Sequence, residues 1–312
     1  MQRFHNILFV SHGIKEETAA FVQALKLAYD NEAQLSILIV CPSFPDTLSE
    51  YQSSYEASLI DKMNTTIQSA KSAFHLSKKK IPIHIEVNCG STPDIRIIRH
   101  VLKNSHDLLI KEVETPESRK GFKALDMELL RKCPSALFLY RPYKHIQQNI
   151  RVAVAIDPKD EEPAAHDLSL HLLEVSHSLR TLYHGNLSII SCWEFALENY
   201  FRDSVWFKVS KEELDEMVEE EKHSHRLLLQ ELIKKSKITD NYHTEHLKGK
   251  AEELIPSIVS HKKIDVLVMG TVARTGISGF IIGNTAENIL QKIDCSLLAL
   301  KPQGFVSPVK AY

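Results

Sequence analysis

Short apolar segments alternate with longer amphipathic segments along the whole chain. The amphipathic residues 18–29 repeat apolar side chains at the spacing of one helix face, and Lys211–Lys235 predicts a long charged helix. The short segments are rich in β-branched residues, which is typical of buried parallel strands. They are residues 7–10, 35–40, 83–87, 108–110, 136–140, 152–156, 187–191, 242–247, 266–269 and 297–300. This alternation predicts an α/β fold of parallel sheets with helices on both faces.

The second half of the chain repeats the order of the first. Leu35-Ser36-Ile37 recurs as Leu187-Ser188-Ile189, and Asp107-Leu108-Leu109-Ile110 recurs as Asp265-Val266-Leu267-Val268. Two further matches keep the same order along the chain, and the distance in sequence between matching segments changes only slowly. Internal repetition of this kind indicates two copies of one domain, which we expect to be joined near residues 143–149.

Length, charge and cysteine content restrict the class of protein. The 312 residues favour two domains, and 38 basic against 40 acidic residues argue against nucleic acid as a partner. Since no targeting segment is visible and no apolar run approaches the ~20 residues of a membrane span, we expect a cytoplasmic protein without membrane insertion. The cysteines, at positions 41, 89, 133, 192 and 295, are odd in number and lack CxxC spacing. We therefore expect free, mostly buried thiols.

A glycine-rich stretch follows the fourth strand of the second half. Residues 270–287 contain four of the ten glycines of the chain, and glycine lets backbone N–H groups approach a ligand closely. Asn284 can cap the following helix, whose N-terminus attracts anions. A simple turn is the alternative, but the first-half counterpart, residues 111–117, has three carboxylates and no glycine. Folding alone does not require the glycines, so the stretch predicts a phosphate-binding loop.

Two other features near the predicted strand ends leave alternatives open. Asp157 ends the first strand of the second half, where it could bond a ribose hydroxyl or a base nitrogen, or form an Asp-Pro turn with Pro158. The segment from Trp193 to Phe207 contains both tryptophans of the chain. It could pack on the sheet or form an apolar lid over the ligand.

No catalytic or metal site is evident in the motifs. The chain lacks a GxSxG elbow and an HExxH motif. His223 and His225 are two residues apart on a predicted helix, and His243 and His246 are three apart on a predicted strand, so neither pair shares a face. We expect neither catalytic nor metal-ligating residues, although a metal site built from distant histidines would not be visible at this level.

The tandem repeat, the strand-end Asp157 and the glycine-rich loop resemble the universal stress protein family, and within it the tandem-domain E-type of γ-proteobacteria. The nucleotide motif of the family is Gly, two residues, Gly, nine residues, Gly, then Ser or Thr. Gly270 and Gly283 match its first and third glycines, whereas Ala273 and Asn284 depart from it. The resemblance covers nearly the whole chain as a fold, but only the second half carries the motif.

The resemblance implies two tandem Rossmann-like domains of the adenine-nucleotide-α-hydrolase-like type, residues 1–145 and 149–303, each with a five-stranded parallel sheet. It implies ATP or another adenine nucleotide as ligand of the second domain and a degenerate first domain. The predicted binding residues are Asp157, Cys192, Gly270, Thr271, Ala273, Arg274, Gly276, Gly283, Asn284 and Thr285.

The resemblance also implies how the two halves associate. Their fifth strands, from Ala136 to Tyr140 and from Leu297 to Leu300, would pair into an internal pseudo-dimer, and a further homodimer is possible in such proteins. We expect a stress-response protein that binds a small phosphate-bearing ligand without turning it over. The alternatives are a weak ATPase and a binder of an amphipathic or lipid-linked phosphate.

Overall fold

The computed structural model describes residues 4–73, 81–114, 120–142, 149–159, 162–203, 209–271 and 282–312. In the first half, the elements are β1 (Asn6–Ser11), α1 (Thr18–Asn31), β2 (Gln34–Cys41), α2 (Gln52–Ala73), β3 (Ile83–Cys89), α3 (Pro93–Asn104), β4 (Leu108–Glu112), α4 (Ala124–Lys132) and β5 (Ala136–Tyr140). In the second half, they are β6 (Arg151–Ala155), α5 (Pro163–Leu182), β7 (Asn186–Trp193), α6 (Glu198–Asp203), α7 (Lys211–Lys235), β8 (Tyr242–Lys248), α8 (Ala251–His261), β9 (Val266–Gly270), α9 (Asn284–Leu290) and β10 (Ser296–Leu300). Each predicted apolar segment is a strand within one or two residues of the expected bounds.

The strands of the described residues form one continuous sheet. Its order is β3-β2-β1-β4-β5-β10-β9-β6-β7-β8, so the two halves have the same strand order and meet edge to edge. Pairing is parallel within each half and antiparallel between β5 and β10, where Leu139, Phe138 and Leu137 face Leu297, Leu298 and Ala299. The predicted pairing of the fifth strands is confirmed. Each of these strands covers an edge that the other half would otherwise expose.

The core lies on both faces of this sheet, because successive strand residues point to opposite faces. Phe9 belongs to the cluster on one face, and its neighbours Leu8 and Val10 belong to the cluster on the other. Both clusters continue across the seam: Phe138 and Leu298 are buried together in the first of them. The two halves therefore share their hydrophobic cores.

The expectation of free thiols was wrong for two of the five cysteines. Cys41 and Cys89 form a disulfide, whereas Cys133, Cys192 and Cys295 are free. The two bonded residues are 48 positions apart in the sequence, but the parallel register of β2 and β3 places them side by side with a Cα–Cα distance of 4.4 Å. Cysteine spacing along the chain could not reveal this, because strand pairing brought them together.

The junction predicted near residues 143–149 falls mostly on residues 143–148, which are outside the described ranges. The domain limits 1–145 and 149–303 therefore stay a prediction, although the repeated strand order agrees with two units. No helix in the described part of the chain is both long enough and apolar enough to cross a membrane.

Candidate functional site

A cleft of about 800 Å³ opens at the carboxyl ends of the second-half strands. It lies where β6 sits between β7 and β9, so that the chain leaves β6 toward one neighbour and returns later on the other side. In open parallel sheets such a reversal of strand order separates the loops and creates a binding crevice. Six predicted residues line this cleft, and they are Asp157, Cys192, Gly270, Gly283, Asn284 and Thr285.

The glycine-rich side of the cleft carries no charged side chain among its described residues. Gly270 ends β9, and a Cβ atom there would approach Cδ2 of Leu168 to 3.0 Å, so the absence of a side chain keeps the backbone close to α5. The N–H of Gly283 donates to the carbonyl oxygen of Thr271 at 3.2 Å, so the described ends of the glycine-rich stretch are in contact. Asn284 and Thr285 follow directly and line the same wall.

The expectation that Asn284 caps the following helix was wrong. Gly283 is the N-cap, and Asn284 is the first residue of α9, without a side-chain capping bond. The helix therefore starts one residue before the position that the capping preference indicated.

Four further predicted residues are not brought into the cleft by the described structure. Thr271 is fully buried beside Gly270, and its hydroxyl has no hydrogen-bond partner among the described residues. Ala273, Arg274 and Gly276 lie outside the described residues. Their assignment to the binding loop stays a prediction.

The turn alternative for Asp157 is confirmed, whereas its contact with a ligand stays a prediction. Its Oδ1 atom accepts a hydrogen bond from the N–H of Lys159 at 3.1 Å, which is the Asp-Pro turn. The residue also lines the cleft beside the end of β6. The side chain of Lys159 forms an ion pair with Glu221, so the turn is tied to α7 on the far wall.

The end of β7 forms the middle of the cleft. Cys192 lines it as a free thiol whose pKa is raised to about 11 by burial and by the nearby Asp157 and Glu194. Trp193 follows, almost fully buried, and its ring stacks on His246 with a centroid distance of 5.9 Å. The thiol therefore stays protonated at neutral pH and presents a weakly polar surface to a ligand.

The aromatic segment from Trp193 to Phe207 is described up to residue 203, and only its first two residues line the cleft. Trp193 and Glu194 line it, whereas Phe195 and Phe201 stack on each other at 6.4 Å without lining it. Residues 204–207 lie outside the described ranges, so the lid stays a prediction.

His225 was considered in the sequence analysis only as a metal ligand and was not placed in the cleft. It is 1% exposed on α7, lines the cleft, and its Nδ1 lies 3.0 Å from Nε2 of His246 on β8. Burial and the neighbouring His246 lower the pKa of His225, so that one nitrogen of this pair donates and the other accepts. Spacing within one element could not indicate the pair, since helix packing joins residues 21 positions apart. No group of three or more metal-ligating side chains occurs among the described residues.

Charge is distributed unevenly around the cleft. The neutral glycine wall at β9 and α9 is followed by ionisable side chains near β6, β7 and the start of α8. These are Asp157, Lys159, Glu162, Glu194, Lys250 and Glu252. Carboxylates accept hydrogen bonds from hydroxyl and amino groups and repel phosphate. This distribution of charge would suit a ligand that has hydrogen-bond donors at one end and an anionic group at the other. The anionic group would then lie at the glycine wall.

The first half fills the corresponding end of its sheet with its own side chains. Lys111 stands where the second half has Met269, and it is fully buried with its Nζ 2.9 Å from Asp126. His12 stands where the second half has Asp157. Burial and Lys111 lower the pKa of His12 to about 4, although Glu114 lies 3.3 Å away. These buried charged contacts have no counterpart among the described residues that line the second-half cleft, and the expectation that the first half does not bind the same ligand stays a prediction.

Comparison with known proteins points to one family. Residues 150–301 match the model of the universal stress protein family. Universal stress protein E of Photorhabdus laumondii is 26% identical over 100% of this chain and 99% of its own. Universal stress protein E of Escherichia coli K12 is 30% identical over 74% of this chain and 72% of its own.

Solved structures share the fold. A universal stress protein from Archaeoglobus fulgidus superposes with a TM-score of 0.63 and 14% identity, over 95% of this chain and 98% of its own. A functionally unknown protein from Pseudomonas aeruginosa gives a TM-score of 0.70 and 21% identity, over 97% and 94%. Both matches extend across the two halves, so the tandem arrangement is common to these proteins.

Proposed function

Because the chain belongs to the universal stress protein family, we propose that it is a stress-response protein whose second half binds an adenine nucleotide in the cleft between β9, β6 and β7. One observation carries this proposal: residues from the ends of β6, β7 and β9 and from α9 line one cavity of about 800 Å³. That volume falls in the range of small-molecule sites, about 300–1,000 Å³.

The distribution of charge supports one orientation of the nucleotide. The phosphates would lie along Gly270, Gly283 and Asn284, where backbone groups can approach and no described side chain carries a charge. The ribose and base would lie toward Asp157 and Cys192, where a carboxylate accepts from hydroxyl or amino groups. The protonated thiol and the ring of Trp193 supply apolar surface for the base.

The protein would act through binding rather than turnover. Loading of the cleft would favour the conformation in which α7 is held against β6 and β8 through the Lys159–Glu221 ion pair and the His225–His246 contact. ATP hydrolysis is the alternative, and it differs from binding because it releases inorganic phosphate, which can be measured.

Calorimetric titration of the full chain with ATP tests the proposed orientation of the nucleotide. Asn284→Asp adds one negative charge at the glycine wall without changing size, and it should weaken ATP about tenfold or more by repulsion of the phosphates. Asn64→Asp adds the same charge on the exposed face of α2 and should leave the affinity unchanged. Adenosine, which lacks phosphates, should bind both variants equally.

Three outcomes would contradict this assignment. Equal ATP affinity in Asn284→Asp and Asn64→Asp would show that the phosphates do not lie at the glycine wall. Absence of saturable binding by the unmodified chain would remove the nucleotide altogether, and mass spectrometry of molecules released from the purified protein would then identify another ligand. Steady release of phosphate above a heat-inactivated control would show that the protein hydrolyses ATP rather than only binding it.

A further inference from the structure

A second cavity, of about 580 Å³, lies at the seam between the two halves. It opens at the amino ends of β1, β4 and β5 and reaches the carboxyl end of β10, because β5 and β10 run antiparallel. It shares no lining residue with the nucleotide cleft. Its wall is partly apolar, with Phe4, Leu102 and Leu300, and partly basic, with His106, His171 and Lys301.

His106 is an unusual residue for this position. It is 6% exposed, and neither ring nitrogen makes a hydrogen bond of normal geometry with any residue that the structure describes. A buried polar group without such a bond destabilises a fold, because its lost contacts with water are not replaced. A role in packing alone would therefore be better served by an apolar side chain.

The second half supplies that apolar side chain at the equivalent position. Ile264 precedes Asp265 and β9 as His106 precedes Asp107 and β4. The N–H of Ile264 donates to the carbonyl oxygen of Val259, and the N–H of His106 donates to that of Val101, so the local backbone is the same. Because isoleucine is compatible with this turn in the second half, folding does not require histidine at the same position in the first half.

The electrostatic surroundings of His106 favour a negatively charged ligand. His5, His171 and Lys301 line the same cavity. Asp107 is the one carboxylate among its described lining residues, and it already accepts the N–H groups of His5 at 2.6 Å and Asn6 at 3.1 Å. Outside the cavity, the ring of His100 stacks on His106 at 5.3 Å, and Glu86 lies 3.7 Å from His100.

We propose that this seam cavity is a second binding site, for a small organic anion that joins a carboxylate or phosphate group to a short apolar part. The anionic group would be bound by His106, His171 and Lys301, and the apolar part would lie against Phe4, Leu102 and Leu300. The site is formed by both halves, so it exists only in the tandem chain. It is independent of the nucleotide cleft.

Binding at this site would be coupled to proton uptake. Burial and His100 lower the pKa of His106 to about 4, while a backbone contact with Asn6 opposes the shift. Burial also lowers the pKa of His171, where Glu174 opposes the shift, and it lowers the pKa of Lys301 to about 8, where Cys133 opposes it. A bound anion favours the charged forms of all three groups, so affinity should increase as the pH falls from about 7 toward 5.

Nuclear magnetic resonance of histidine ring signals tests the proposal on the full chain. Phenyl phosphate and benzoate are the probes, benzamide is the neutral control, and His106→Ile assigns the signal. Both anions should shift the signals of His106 and His171 in a saturable manner and raise the pKa of His106 by at least one unit, whereas benzamide should do neither. Comparison of the two anions shows which anionic group is preferred.

The variant His106→Ile separates a ligand role from a structural one. It should be at least as stable as the unmodified chain, as Ile264 indicates, yet bind the anions at least tenfold more weakly. Lys301→Met provides a second variant that should also weaken binding, and His261→Ile, on the exposed end of α8, should not. Equal affinity in His106→Ile and the unmodified chain, or equal binding of benzamide, would overturn the proposal. So would signal shifts that vanish in Asn284→Asp, since they would arise from the nucleotide cleft.

Discussion

At the scale of single residues, the two halves differ most where their sheets end. Glu112 at the end of β4 occupies the position of Gly270 at the end of β9. Burial, together with the nearby Glu17, raises the pKa of Glu112 from 4.5 to about 7. The glycine leaves the second-half end open, whereas the first-half end contains a carboxyl group that the fold prefers in its neutral form.

This preference makes stability depend on pH. A carboxyl group whose pKa is raised by folding stabilises the fold below pH 4.5, and that contribution is lost as the pH rises through about 7. Glu112→Gln keeps the neutral form at every pH. It should stabilise the protein by about 1–2 kcal/mol at pH 8, after allowance for partial solvent access, and change little at pH 4. Urea unfolding at both pH values measures this, with the exposed Glu50→Gln as control. An equal effect of Glu112→Gln at both pH values would contradict the assignment.

At the scale of elements, α7 illustrates what local sequence determines. Its predicted bounds, Lys211–Lys235, are those of the structure. Ser210 accepts the N–H of Glu213 at 3.1 Å, and the carboxylate of Glu213 accepts the N–H of Ser210 at 2.9 Å, which is a complete capping box. The S-x-x-E spacing is visible in the sequence and marks the first turn of the helix that carries His225.

Removal of this cap should destabilise the helix. Ser210→Ala loses the bond to the Glu213 N–H and should lower the free energy of unfolding by about 1 kcal/mol. Ser54→Ala, at an exposed position in α2, removes a hydroxyl without removing a cap and should cause no such loss. Thermal unfolding of both variants gives the comparison. Equal melting temperatures for them would show that the capping box does not stabilise α7.

At the scale of the whole molecule, the two halves share one sheet and two continuous cores. Phe138 on β5 is 1% exposed and faces Leu298 across the seam. Loss of packing in the first half should therefore be transmitted to the second. Cooperative unfolding of the two halves is the expected consequence.

Tryptophan fluorescence can test this coupling, because both tryptophans of the chain are in the second half. Phe138→Ala should lower stability by about 3–5 kcal/mol and shift the fluorescence transition together with the circular dichroism transition. Tyr51→Ala, at an exposed position in the first half, should shift neither. If Phe138→Ala left the fluorescence midpoint unchanged while an earlier dichroism transition emerged, the halves would be independent.

By itself, the sequence determined the predicted strands and helices and their repetition, whereas the pairing of the fifth strands was implied by the family resemblance. Strand and helix periodicity depend on neighbours along the chain, and six of the ten predicted site residues line the cleft because parallel strands place their carboxyl ends together. Only the tertiary structure decided which distant side chains meet. The disulfide of Cys41 and Cys89, the contact of His225 with His246, and the cavity around His106 all arise from strand register and packing, which no local pattern encodes.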